Sequence, residues 1–304
     1  MSYVLSLSGI TKSYGRVQAL KGVSFDVPEG SVFGILGPNG SGKTTLLSII
    51  LDVLKANSGN FLWFGQPGSP AQRSKIGSLL ETPNFYHYLS AIGNLKVTQS
   101  ISGRGTKEDI DPVLKKVKLY ERRRSRFKTY SLGMKQRLGI AEVLVKNPKA
   151  IILDEPTLGI DPDGAIRILE LIKSLNREHG LTVMLSSHQL QQVQEICSRV
   201  GIIVKGKLIV QGQMDDLGKS ILKGRQWNFL LEVSGNTDGL ERDLQSIPGV
   251  DEIEPRSHGW FLRCTQDVRG EVVSLVIRKG VRLLQLRSED PTLEEIYLKY
   301  FREA

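Results

Sequence analysis

The chain has 304 residues, 40% of them hydrophobic, and a net charge of +9, which leaves room for two domains and a real core. No apolar run is long and uncharged enough to cross a bilayer, so the sequence predicts neither a signal peptide nor a transmembrane helix, and any membrane role falls to a partner. Cys197 and Cys264 lie far apart without a C-x-x-C or histidine pairing, which excludes a disulfide framework or zinc site and reads as two small core residues of a cytoplasmic protein.

In chain order, residues 3–8 and 23–27 read as short antiparallel strands, with 13–15 as a turn. Tyr14 in that turn suits either ordinary packing or stacking on a nucleotide base. The apolar run 31–36 reads as a buried parallel strand, and 46–51 as a helix. Between them stand Gly37, Pro38, Asn39, Gly40, Ser41, Gly42, Lys43, Thr44 and Thr45, a full match to the phosphate-binding loop G-x-x-x-x-G-K-[ST]. Glycines let the backbone approach a polyphosphate, and the new helix turns its positive end towards it. Lys43 suits a place between the β- and γ-phosphates, and the Thr44 hydroxyl a place on Mg²⁺.

Residues 59–64 and 76–80 read as strands, the second ended by Glu81 where an α/β sheet binds ligands. Residues 89–101 and 109–119 carry weaker helical patterns and predict a small helical subdomain inserted in the sheet. From Tyr130 a helix runs to Asn147-Pro148 with Ser131 as its N-cap, which sets Ser131 and Gly133 at a second anion-attracting helix end. Residues 149–154 form an apolar strand that ends in Asp154 and Glu155. Two acids there are costly unless they meet a cation, so Asp154 suits Mg²⁺ and Glu155 suits a base that orients and deprotonates water. A helix over 162–179 precedes a strand over 181–185, and His188 just past its end is placed either to reach a γ-phosphate or to sit as an ordinary surface group. A hairpin over 200–210 closes this part.

Composition then shifts: the charge is +11 through Ser220 and −2 beyond it. Strand 226–233, helix 239–245, strands 250–254 and 260–264, helix 268–278 and strand 281–286 give the order β-α-β-β-α-β, which suggests a ferredoxin-like domain. A last helix begins at Asp290-Pro291, with Leu293, Ile296, Tyr297, Tyr300 and Phe301 as one apolar stripe. The densest basic run, from Lys115 to Lys128, holds eight cations and one acid. A solvated helical face, anionic lipid headgroups and nucleic acid all remain open as its explanation.

Taken in order, the phosphate loop, Tyr130-Ser131-Leu132-Gly133-Met134, Ile151-Ile152-Leu153-Asp154-Glu155, Leu158-Gly159-Ile160-Asp161 and His188 resemble the ATP-binding subunit of ABC transporters over residues 1–220. The resemblance implies a P-loop NTPase of ABC type, α/β with a mixed sheet and a helical subdomain over about 85–148, followed by an accessory domain over 221–304. It implies ATP and Mg²⁺ as ligands, Tyr14 on adenine, Ser131 and Gly133 in the signature motif, Asp161 in the loop that crosses a dimer, and His188 as the switch histidine. Glu155, His188 and Lys43 would then serve catalysis, and Thr44, Asp154 and Glu81 the metal. Glu81 stands where the family usually has Gln, and the signature departs from the usual LSGGQ. Both departures resemble the bacitracin and antibiotic exporter branch. The partners implied are a second ATP-binding subunit, as a homodimer, and an integral membrane permease that holds the chain at the inner face of the membrane. The alternative is a soluble ABC-type ATPase acting on ribosomes or nucleic acid. It suits the positive charge but usually needs two fused copies, and only one is present here.

Overall fold

The computed structural model describes residues 2–80, 82–214, 227–257 and 259–288. The chain divides into two compact units, Met1–Met214 and Asp215–Glu303, a few residues ahead of the boundary at 220 read from composition.

The first unit opens on β1 (Tyr3–Tyr14) and β2 (Val17–Pro28). These are two long strands where the sequence predicts short ones, and Tyr14 ends a strand instead of sitting in a turn. The pairing shifts register between Leu7 and Ile10, where Gly9 has a φ of 61°. A bulge of this kind lets one strand run on where two fragments are expected. Then follow β3 (Val32–Leu36), α1 (Lys43–Ile50), β4 (Ser58–Trp63), β5 (Gln66–Pro67), α2 (Pro70–Arg73), β6 (Ile76–Leu79), α3 (Ala91–Ser102), α4 (Lys107–Lys116), α5 (Leu132–Leu144), β7 (Ala150–Asp154), α6 (Pro162–His179), β8 (Thr182–Ser187), α7 (Leu190–Ile196), β9 (Arg199–Val204) and β10 (Lys207–Gln213). The sequence reading missed β5, the shortest strand in that list, and α2 and α7, its two shortest helices.

Two sheets result. One is antiparallel, in the order β2-β1-β4-β5; the other has six strands in the order β10-β9-β3-β8-β7-β6. Strands β9, β3, β8, β7 and β6 are parallel neighbours, and β10 joins the edge antiparallel, so the sheet is mixed. Strands β3, β7 and β8 are buried along their whole length, which is why each carries an apolar run, ended in β7 and β8 by polar residues. Helices α3 to α5 fall between the neighbouring strands β6 and β7, as an insertion. Helix α1 packs into one cluster with both sheets, Leu46, Leu47, Ile49 and Ile50 meeting Phe25, Val27 and Trp63 on one side and Phe33, Ile35, Ile152 and Met184 on the other. Cys197 belongs to the core here, as Cys264 does in the second unit. Burial pushes both thiols up, that of Cys264 to about 11.

The second unit consists of β11 (Trp227–Ser234), α8 (Leu240–Gln245), β12 (Val250–Arg256), β13 (Gly259–Cys264), α9 (Arg269–Arg278) and β14 (Arg282–Ser288). Its strands lie in the order β12-β13-β11-β14 and pair antiparallel throughout, the split β-α-β arrangement of a ferredoxin-like fold. The helix expected from Asp290 lies outside the described residues.

Trp63 is the largest fully buried side chain, and its indole N–H donates to the carbonyl of Ile50 at 2.8 Å. Trp63→Ala therefore opens a cavity beside α1 and leaves that carbonyl unpaired. The expected loss is about 3–5 kcal/mol, read as a lower urea midpoint for the first transition.

Candidate functional site

All five parallel strands end at one edge of the six-stranded sheet, the edge where ligands bind in open α/β sheets. Strand β3 delivers the phosphate loop there. The Gly37 N–H donates to Ser187 O at 3.3 Å, and the far side of the loop is held by Gly206 N–H donating to Ser41 O at 3.0 Å. A Cβ on Gly37 would lie 2.2 Å from the carbonyl oxygen of Ile203, so no larger residue fits. Gly42 takes a φ of 106° and is the N-cap of α1, which has no side-chain cap and no acid in its first turn. The first amides of α1 thus have no partner inside their own helix and face an incoming anion. Pro38 and Thr45 are half-buried, while Asn39 and Gly40 are exposed on the open side of the loop.

Lys43 is 6% exposed. Its ammonium donates to Gly37 O at 2.8 Å and Pro38 O at 3.2 Å and lies 3.5 Å from Glu155 Oε1. Beside it, β7 ends at Asp154, whose carboxylate is taken on both oxygens. Thr44 Oγ1 donates to Oδ2 at 3.0 Å, and Ser186 Oγ donates to Oδ1 in a very short hydrogen bond. The Ser186 hydroxyl also accepts the Glu155 N–H at 3.0 Å. Glu155 itself has a φ of 46°; a non-glycine residue held in the left-handed region is strained, and such strain gathers at functional sites. Its Oε2 lies 2.9 Å from His188 Nδ1.

The structure therefore brings Lys43, Thr44, Asp154, Glu155 and His188 into one network, and adds Ser186, which the sequence reading passed over as an ordinary strand-end serine. Only the register of two parallel strands, Asp154 opposite Ser186, could have singled it out. Two buried oxygens in the network, Ser41 Oγ and Glu155 Oε1, have no hydrogen-bond partner. Such atoms are the sockets of a polar ligand. Among the described residues no group of three or more His, Cys, Asp or Glu could hold a metal by itself. Thr44 and Asp154 offer instead a hydroxyl and one carboxylate, a sparse oxygen donor set of the kind that suits Mg²⁺. Glu81 lies outside the described residues.

Three expected residues stand apart from this network. Ser131 is exposed and caps α5, accepting the Met134 N–H at 3.3 Å; Asp161 is exposed and caps α6, accepting the Gly164 N–H at 3.0 Å. Gly133 joins these two caps, since a Cβ on it would meet Ile160 at 3.6 Å. Among the described residues no hydrogen bond ties Ser131 or Asp161 to the phosphate loop. Tyr14 presents a half-exposed ring, with the Lys12 ammonium 5.5 Å from its centroid.

Comparison with known proteins agrees with this geometry. The profile of the ABC transporter family matches residues 20–158. The bacitracin transport ATP-binding protein BcrA of Enterococcus faecalis is 36% identical over 304 residues, covering 98% of this chain and 96% of the relative. Among solved structures, CbiO1 of Clostridium perfringens, part of the ABC transporter complex cbiONQ, superposes with a TM-score of 0.67 at 28% identity over 74% of this chain and 94% of that one. The ATP-binding cassette MJ0796, in a dimeric post-hydrolysis state with ADP and Pi, superposes with a TM-score of 0.60 at 28% identity over 69% of this chain and 98% of that one.

Ser186→Ala leaves Asp154 Oδ1 and the Glu155 N–H without their shared partner. ATP turnover is expected to fall about tenfold with KM for ATP little changed, because the hydroxyl bonds the two acids and not the phosphate loop. Steady-state kinetics read both constants.

Proposed function

The chain belongs to the ABC transporter ATP-binding family and is an ATPase of that family; on that premise we propose that it powers a separate membrane permease, an exporter, as one of two paired ATP-binding subunits. The observation that carries the reading is the end-to-end match to a bacitracin transport ATP-binding protein, which takes in the second unit as well as the first. Among the described residues no helix is long and apolar enough to cross a membrane. On this reading a partner holds the chain at the inner face of the membrane.

In this reading the amides of the loop from Gly37 to Thr45, with the N-terminus of α1, bind the ATP phosphates. Lys43 exchanges its bonds to the Gly37 and Pro38 carbonyls for the β- and γ-phosphates, and Tyr14 offers its ring to adenine. Thr44 and Asp154 would hold Mg²⁺, which would supply charge neutralisation for the phosphates. Glu155, fixed by Ser186 and His188, has its free Oε1 placed to orient a water molecule and take its proton. The exposed caps Ser131 and Asp161, with Gly133, serve the nucleotide of the second subunit. ATP closes the pair, hydrolysis opens it, and the difference in affinity between the two forms moves the permease.

Glu155→Gln keeps the hydrogen-bonding shape and removes the base. It is expected to bind ATP and to dimerise with Mg-ATP while turning over about a hundredfold more slowly or worse. Normal turnover would remove Glu155 from that role. The same variant, tagged and pulled down with Mg-ATP from detergent-solubilised cells, is expected to bring a polytopic membrane protein in stoichiometric yield. Recovery of ribosomal proteins or nucleic acid instead would overturn the permease reading.

A further inference from the structure

The basic run that the catalytic reading leaves unused forms one surface with two exposed aromatic rings. Residues 115–128 carry eight cations and one acid, Glu121. None of those cations takes part in an ion pair among the described residues. Arg123 is the most engaged, stacked 3.8 Å from the centroid of the Tyr120 ring and donating to Tyr120 O at 2.9 Å. Arg122, Arg124, Arg126 and Lys128 are exposed. Residues 87–92 lie alongside: Phe127 N–H donates to Leu89 O at 2.8 Å, Lys128 N–H to His87 O at 3.2 Å, and Ser90 bridges to Arg126. This brings Tyr86 and Tyr88, 49% and 68% exposed with ring centroids 5.8 Å apart, next to the row of cations.

Like charges gathered without counter-ions in the fold repel one another, and an external polyanion relieves that repulsion. Solvent-facing tyrosines beside exposed Arg and Lys are the combination that settles at a lipid–water interface, phenols at headgroup level and cations on the anionic lipids. We propose that this surface, formed by Arg122, Arg124, Arg126 and Lys128 with Tyr86 and Tyr88, binds the anionic headgroups of the membrane leaflet beside the permease. The choice of lipid over nucleic acid rests on the permease reading, which keeps an anionic leaflet within reach. The binding itself needs no permease.

The test is co-sedimentation of the full chain with vesicles of phosphatidylcholine alone or with about one third phosphatidylglycerol. The expected result is binding about tenfold or more tighter to the anionic vesicles, falling steeply as salt rises. The combined variant Arg122→Glu, Arg124→Glu, Arg126→Glu and Lys128→Glu drops to the level of neutral vesicles while ATP turnover in vesicle-free solution stays unchanged, which certifies that it folds. The milder Arg→Gln and Lys→Gln set lies between the two, and Tyr88→Ala weakens the binding that persists at high salt. Equal binding to both vesicle types, or unchanged anionic binding by the charge-reversed chain, overturns the proposal. So does displacement from the vesicles by a single-stranded RNA at matched charge, which would assign the patch to nucleic acid. None of these results bears on whether a permease is recovered with Glu155→Gln.

Discussion

Everything in the first unit is arranged so that two adjacent carboxylates can exist at the end of a strand buried on both faces. Unanswered, the charges of Asp154 and Glu155 would carry a heavy desolvation cost there. The answer comes from four side chains at two places in the chain: Lys43 and Thr44 at the start of α1, and Ser186 and His188 at and just beyond the end of β8. Ser186 is the member with two duties, donating to one acid's carboxylate and accepting the other's backbone N–H. A slip of one residue in the pairing of β7 and β8 would turn that hydroxyl to the opposite face and undo both. The apolar run of those strands, which fixes their place in the sheet, is therefore a condition of the polar chemistry at their ends.

The same dependence holds for the phosphate loop. Helix α1 is clamped between two sheets by Leu46, Leu47, Ile49 and Ile50, so the position of its first turn is set by apolar burial and owes nothing to a charged side chain. An N-terminus capped only by Gly42, with no acid in its own first turn, leaves its first amides without a partner inside the helix. Stability is placed in the body of the helix and binding capacity at its tip.

These features were legible in the sequence to different degrees. The phosphate loop, the acidic end of β7 and the capped start of α5 announce themselves, because each is a local pattern with its own punctuation. The second unit was legible too: its alternating strands and two helices gave the order that the sheet then displays. The long β1 and β2 were not, since glycines such as Gly9 read as strand ends when they mark a bulge. Helix α7 was missed because seven residues give too few turns for a period to emerge, and its start at Leu190 has no side-chain cap. Ser186 was missed for a different reason. Its importance lies wholly in facing Asp154 across the sheet, a relation between residues far apart in the chain.

The division of the site into two groups has an energetic meaning. Lys43, Thr44, Asp154, Glu155 and His188 satisfy one another within a single chain, whereas Ser131 and Asp161 are exposed caps that serve their own helices. In a paired assembly a nucleotide held by the first group of one subunit and the second group of the other gains contacts only when the two chains meet. Its affinity for the closed pair then exceeds its affinity for the open one, and only that difference can shift the equilibrium. If Ser131 and Gly133 reached the phosphate loop of their own chain, ATP would bind open and closed forms alike, however tightly, and would move nothing. Under the proposed pairing, a site left in halves within each chain is what lets ATP binding become work on a partner.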